Sequence, residues 1–251
     1  MQKAFVDKFF DNIPVYVINL DDSNVRRDNI KTQFDGYDNL HFVEAIDGRN
    51  AEKFKKEYNV TYVTTINYTT AVIAVICSHA KAIKQAFDNG NEMACIFEDD
   101  VKLDLLDKCT FSLRDIIKIN NEWDAIQLYY SNNLEKNHRD YEKNGIALLK
   151  RTSSYFGTCY IINRNGMRKM LKNVFDTDGA KNFVINIKIN NPEDVVLAHI
   201  NTYIINRPCV YYLGCDTITF PLYIADKKNL RTDAITAQNN AAKIIKSFYK
   251  L

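Results

Sequence analysis

The chain has 251 residues, 46% hydrophobic and 25% charged, ordinary values for a globular protein with room for a sizeable core. Lys+Arg number 33 against 31 Asp+Glu, a net charge of +2, so the charge balance gives no argument for bulk attraction to nucleic acid. The 8 glycines form neither G-x-G-x-x-G nor G-x-x-x-x-G-K, and H-E-x-x-H and G-x-S-x-G are absent. The dinucleotide fingerprint, the P-loop, the zincin helix and the nucleophile elbow are thereby excluded.

In chain order, residues 1–12 are charged early and lack an apolar core, so they do not read as a signal peptide. Val15-Tyr16-Val17-Ile18-Asn19-Leu20 is a β-branched and aromatic run, expected as a buried strand. Asp21 to Asn24 form a turn cluster before a helix over 25–34 that opens with Arg26 and Arg27. Residues 41–46 read as a second strand closed by Asp47-Gly48, and 69–89 as a helix ended by Asn89-Gly90. Met93 to Phe97 is a short buried strand running into Glu98-Asp99-Asp100.

The second half continues the alternation. A helix is expected over 113–120 and a strand over 123–130, followed by a polar loop over 131–144 with a weak hairpin signal at Asn144-Gly145. Residues 158–163 read as strand and 164–173 as helix, with 176–191 polar and irregular apart from the apolar 183–189. Pro192 opens a helix carrying Glu193 and Asp194. Residues 203–212 hold an apolar stretch broken by Pro208. Residues 225–251 read as a basic amphipathic tail, with Ile235, Ile244, Ile245 and Phe248 as its apolar stripe. Residues 1–224 are read as a single α/β domain with a mostly parallel sheet.

The 6 cysteines form no C-x-x-C pair and sit mostly in apolar runs, so buried reduced thiols are expected. No apolar run is long enough to span a bilayer. A cytoplasmic or similarly reducing setting is expected.

In parallel sheets ligands bind beyond the carboxyl ends of the strands. Glu98-Asp99-Asp100 stands at such an end. Crowded carboxylates call for a counter-charge, and Mg²⁺ or Mn²⁺ matches carboxylate oxygen. In an extended segment Glu98 and Asp100 share one side. Taken alone, such a triplet is more often a solvated turn or a helix cap.

Five pieces in order resemble glycosyltransferase family 25, which includes lipooligosaccharide and procollagen galactosyltransferases. They are the strand 15–20 with Arg26-Arg27; Ala45-Ile46-Asp47-Gly48; Cys77-Ser78-His79; Phe97-Glu98-Asp99-Asp100-Val101; and the run from Gly157-Thr158-Cys159-Tyr160 to Asn163-Arg164-Asn165-Gly166. The likeness covers roughly 13–220. One departure is Thr70-Ala71-Val72-Ile73-Ala74, where the family often has Gly-Glu-Ile-Gly.

The resemblance implies a GT-A fold, Rossmann-like with a mostly parallel central sheet, a UDP-sugar donor, a divalent metal (Mn²⁺ or Mg²⁺) and inversion at the anomeric carbon. The substrate partners are then the nucleotide sugar and a glycan or hydroxylated acceptor. Contact of the tail with a membrane surface stays open, as does the oligomeric state. Asp100 is the first choice as metal ligand, with Glu98 on the metal or the ribose and Asp99 open to either role. Asn19, Arg26, Arg27, Asp47, Ser78 and His79 are expected to support the donor. Asp194 matches the catalytic base best, with Glu193 as competitor; acids in a first helical turn also simply complement the dipole. Asp216-Thr217 is given a weak supporting role. Tyr129-Tyr130 is core by default, or a sugar platform. The alternative is an inactive relative that binds or scaffolds.

Overall fold

The computed structural model describes residues 2–64, 68–130, 133–150, 159–189, 197–212 and 228–250. The elements in order are α1 (Gln2–Phe10), β1 (Val15–Asn19), α2 (Asn24–Gln33), β2 (Leu40–Glu44), α3 (Ala51–Glu57), β3 (Asn59–Thr64), α4 (Thr70–Asp88), β4 (Met93–Glu98) and β5 (Val101–Lys102). Then come α5 (Leu113–Ile117), β6 (Ala125–Gln127), α6 (Leu134–Asn144), β7 (Leu148–Lys150), β8 (Cys159–Asn163), α7 (Arg164–Asn173), β9 (Phe175–Thr177), β10 (Asn182–Ile189), β11 (Thr202–Ile205), β12 (Tyr211–Tyr212) and a C-terminal helix (Lys228–Phe248).

The central sheet has seven strands in the order β2-β1-β4-β8-β6-β11-β7. β1 pairs in parallel with β2 and β4, and β6 with β11, while β8 and β7 run against their neighbours. Five of the seven strands run in one direction, so the expected α/β architecture with a mostly parallel central sheet is present. A three-stranded sheet β3-β10-β9 and a ribbon β12-β5 complete the strands among the described residues.

Both faces of the central sheet are covered, and side-chain alternation sorts the strands between two cores. Val15, Val17, Cys95, Phe97, Cys159 and Ile161 point into one core, which they share with residues of α1, α2, α5 and the C-terminal helix. Tyr16, Ile18, Ala94, Ile96, Tyr160 and Ile162 point into the other, with α4, α7 and the small sheet. α4 is buried almost all round, from Ala71 to Ala86, because sheet, α3 and α7 enclose it. It ends where Gly90 takes φ +78, as Asn89-Gly90 suggested.

Several elements depart from the sequence expectations. The stretch expected as a polar loop is helix α6 from Leu134 onward. Its only apolar side chains, Leu134 and Tyr141, lie seven apart and, with Asn137 and His138, form the one inward stripe. Such a sparse stripe gives little periodic signal. Gly145, read as part of a hairpin, takes φ +79 at the helix end instead. The segment expected as irregular contains β9 and β10, because β3, more than a hundred residues earlier, supplies the partner strand. The strand expected over 123–130 has ladder pairing only at Ala125–Gln127. α1, α3, β3 and β7 had no expectation assigned.

The C-terminal helix is part of the main core. Ala241, Ala242 and Ile245 are buried in it, and Ile244 and Phe248 pack against it; the Ile235 side chain lies outside the described residues. Arg207 lies between the rings of Tyr141 and Tyr249, 4.4 and 4.0 Å from their centroids, and Tyr249 donates to the Pro208 carbonyl at 2.8 Å. Cys77, Cys95, Cys109, Cys159 and Cys209 are free thiols, and burial pushes Cys77 up to about 12. Cys215 lies outside the described residues. Among the described residues no helix is long and apolar enough to cross a membrane.

Candidate functional site

β1, β2 and β4 end side by side, and the cleft beyond their carboxyl ends is where parallel sheets bind ligands. Ile18 and Leu20 of β1 and the residue after it, Arg26 of α2, the loop Ala45 to Arg49, one face of α4, and Glu98, Asp99 and Asp100 line it. Its free space, counted out to open solvent, is about 650 Å³. The α4 face consists of Ala71, Val75, Ser78 and His79, the spacing of one helical stripe.

Gly48 sets the wall between the loop and α4. A Cβ there would lie 2.4 Å from the Thr70 carbonyl oxygen and 2.6 Å from Ala71 Cα, so only hydrogen fits. Thr70 donates to the Gly48 carbonyl at 2.8 Å. Ser78 Oγ donates to the Ala74 carbonyl at 2.7 Å and accepts from Ile46 N at 2.8 Å. The serine therefore pins the loop onto the helix. The Thr70 to Ala74 segment, which departs from the family pattern, is simply the first turn of α4.

The three carboxylates are not equivalent. Asp99 accepts from Asn19 Nδ2 at 2.7 Å through one oxygen and from Arg26 Nη1 at 2.9 Å through the other. Its pKa is still raised, because burial outweighs Arg26 and Asn19. Glu98 Oε1 lies 3.3 Å from His79 Nε2. Asp100 Oδ2 is 3.8 Å from Arg26 Nη1, beyond hydrogen-bond length, and Asp100 Oδ1 is buried with no protein partner. Burial first, then the charges of Glu98 and Asp99, push Asp100 up to about 7 against the opposing pull of Arg26.

Of the residues expected at the site, Arg26, Asp47, Ser78, His79, Glu98, Asp99 and Asp100 do converge on this cleft. Asn19 and Arg27 stand behind it. Asn19 is buried and holds Asp99, while Arg27 donates Nε to Asn19 Oδ1 at 2.7 Å and lies over the Phe42 ring. Asp47 is at the rim and held by a residue the sequence reading missed. Arg49 donates Nε to Asp47 Oδ1 at 2.8 Å and Nη2 to Asp47 Oδ2 at 2.7 Å, and also reaches Asp22. These bonds lower the Asp47 pKa. The signal was the residue directly after Asp47-Gly48, which reads as an ordinary turn. Tyr129 and Tyr130 are buried, which removes the sugar-platform reading. Glu193, Asp194, Asp216 and Thr217 lie outside the described residues.

A cation fits the residues present in a limited way. Among the described residues no three His, Cys, Asp or Glu side chains form a closed metal cage. Asp100 nevertheless presents a buried, unpartnered carboxylate oxygen, the hard donor that Mg²⁺ and Mn²⁺ take together with water and phosphate oxygens. The cleft lining also carries four carboxylates against two guanidiniums, with His79 counted neutral. Such a surface repels a diphosphate unless a cation accompanies it.

The family model for glycosyltransferase family 25, described as LPS biosynthesis protein, matches residues 12–181. This chain belongs to glycosyltransferase family 25. The match spans every described site residue named above and stops before Glu193 and Asp194. No curated protein sequence matches the chain. Among solved structures, mouse xyloside xylosyltransferase 1 in its apo form aligns at 11% identity over 67% of this chain, with a TM-score of 0.30. The chain spans 63% of the length of that structure.

Proposed function

We propose that this family 25 member transfers a hexose, galactose or glucose favoured, from a UDP-sugar to a glycan or hydroxylated acceptor, with inversion and with Mn²⁺ or Mg²⁺. The observation that carries the reading is Asp100: a buried carboxylate crowded by two others, with one oxygen facing no protein donor. Keeping such a carboxylate ionised costs free energy, which a ligand that brings positive charge offsets.

Asp100 and Glu98 are proposed to hold the cation, which when bound offsets the charge gathering on the departing diphosphate. Arg26, tied to Asp99, keeps a guanidinium beside the acids and limits their repulsion. Asn19 and Arg27 hold Asp99 from behind, so their role is support. Asp47 reaches a nucleoside only with Arg49 attached or displaced. Asp194 is proposed as the base that takes the acceptor hydroxyl proton, with Glu193 as competitor. UDP, the sugar and the acceptor are then the partners; the chemistry gives no reason to add nucleic acid.

The competing reading, an inactive relative that only binds or scaffolds, leaves the crowded carboxylates without a role. Donor hydrolysis with a panel of UDP-sugars, with Mn²⁺ and with chelator, separates the two. Metal-dependent release of UDP supports the transferase, and a folded protein inert toward every donor supports the scaffold.

A further inference from the structure

His79 is buried, at 2% exposure, yet it lines the cleft and has polar neighbours on both ring nitrogens. Nε2 faces Glu98 Oε1 at 3.3 Å, and Nδ1 faces the Tyr160 hydroxyl at 3.2 Å. The Tyr160 ring stacks on the imidazole, with centroids 5.9 Å apart and planes 24° apart. Strand pairing explains the meeting. Tyr160 on β8 sits opposite Ile96 on β4, two residues before Glu98 and on the same face, the one α4 covers.

We propose that Tyr160 is a positioning residue that acts through His79 to orient Glu98 for the donor. The hydrogen-bond inventory gives the chain one direction. A carboxylate only accepts, so Nε2 carries the hydrogen that Glu98 Oε1 receives. In the neutral ring Nδ1 is then bare and accepts from the Tyr160 hydroxyl. Burial and the nearby charge of Glu98 raise the Tyr160 pKa well above its ordinary value, so the phenol keeps its hydrogen. One Glu98 oxygen is thereby fixed, and the carboxylate's other oxygen is left to the ligand. Partners of this kind set ligand orientation in metal and catalytic sites. The inference rests on the donor-site reading above and adds to it a residue that touches no ligand.

Two measurements test it. In the ¹⁵N histidine spectrum of the full chain, His79, assigned by its loss in His79→Gln, is expected as a single Nε2–H tautomer. Tyr160→Phe, which removes only the hydroxyl, is expected to give a mixture of tautomers. By calorimetry with UDP and Mn²⁺, Tyr160→Phe is expected to weaken binding about 3- to 10-fold. His79→Gln keeps a side-chain N–H toward Glu98 and is expected to bind more tightly than His79→Leu, which loses about 10- to 100-fold. A wild-type Nδ1–H tautomer overturns the relay. So does a folded Tyr160→Phe with unchanged spectrum and affinity, or equal loss in His79→Gln and His79→Leu. If the wild type binds no UDP with metal, the donor reading fails, and the tautomer spectra still decide the Tyr160–His79 arrangement.

Discussion

Asn19 and Asp99, eighty positions apart, meet over 2.7 Å at the ends of neighbouring parallel strands. The bond makes Asp99 part of the scaffold and leaves Asp100, one residue on, as the acid without a protein partner for Oδ1. Two adjacent aspartates thus differ in their surroundings: Asp99 is held by Asn19 and Arg26, and Asp100 keeps a buried oxygen without a partner.

That difference is measurable. Asp99→Ala strips an acceptor from Asn19 and Arg26 and is expected to lower stability by about 1–3 kcal/mol. Asp100→Asn relieves a desolvated, crowded charge and is expected to leave stability unchanged or raise it by up to about 1 kcal/mol. Urea melts of the two variants check the order. A larger loss in Asp100→Asn than in Asp99→Ala contradicts it.

Gly48→Ala places a methyl group against the backbone of the first turn of α4. Because Thr70 and Ala71 backbone atoms cannot yield as a side-chain tip does, a cost of about 1–3 kcal/mol is expected, with weaker UDP binding as the cleft wall shifts. Thermal melts and UDP titration of the variant measure both. A melting temperature equal to wild type refutes the close approach.

The C-terminal helix is expected to loosen in mild acid. His138 stacks on Phe248 at 3.8 Å between centroids, with Nδ1 buried and unpartnered. Burial lowers its pKa, aided by Arg207 and opposed by Glu142. A lowered folded pKa means the unfolded chain binds the proton first, so stability is lost as pH falls from the ordinary value of 6.5 through the folded one. From about pH 7.5 to about 5.5 the wild type should lose more melting temperature than His138→Phe, which keeps the stack without the titration. Parallel curves for the two proteins rule this out.

The strands and helices that build the cleft were legible in the sequence because each is a dense local pattern. Val15 to Ile18 and Met93 to Phe97 are uninterrupted apolar runs, and α4 is apolar on several faces. Elements whose partner lies far along the chain were not legible: β10 needs β3, and α6 needs the C-terminal helix under a stripe of only four residues. At the site, the residue types were readable and their pairing was not. Nothing local distinguishes Asp99 from Asp100, or shows that Ser78 holds Ile46, that Arg49 holds Asp47, or that Tyr160 reaches His79.

Asp194→Asn is expected to slow transfer by about 10²- to 10⁴-fold while UDP binding survives, as for loss of a general base that faces the acceptor. Transfer rate and UDP affinity are measured together, with Glu193→Gln as comparison. Near-normal transfer by Asp194→Asn moves the role to Glu193 if Glu193→Gln is slow, and to neither if both are active.

The central claim, that Glu98 at the end of β4 and Asp99 and Asp100 just beyond it form a cation-dependent UDP site, is tested most directly by calorimetric titration of UDP into wild type and Asp100→Asn, each with Mn²⁺ and with chelator. The account predicts binding by the wild type only with Mn²⁺, and none by a fully folded Asp100→Asn. UDP affinity that is the same in both proteins, with and without Mn²⁺, contradicts it.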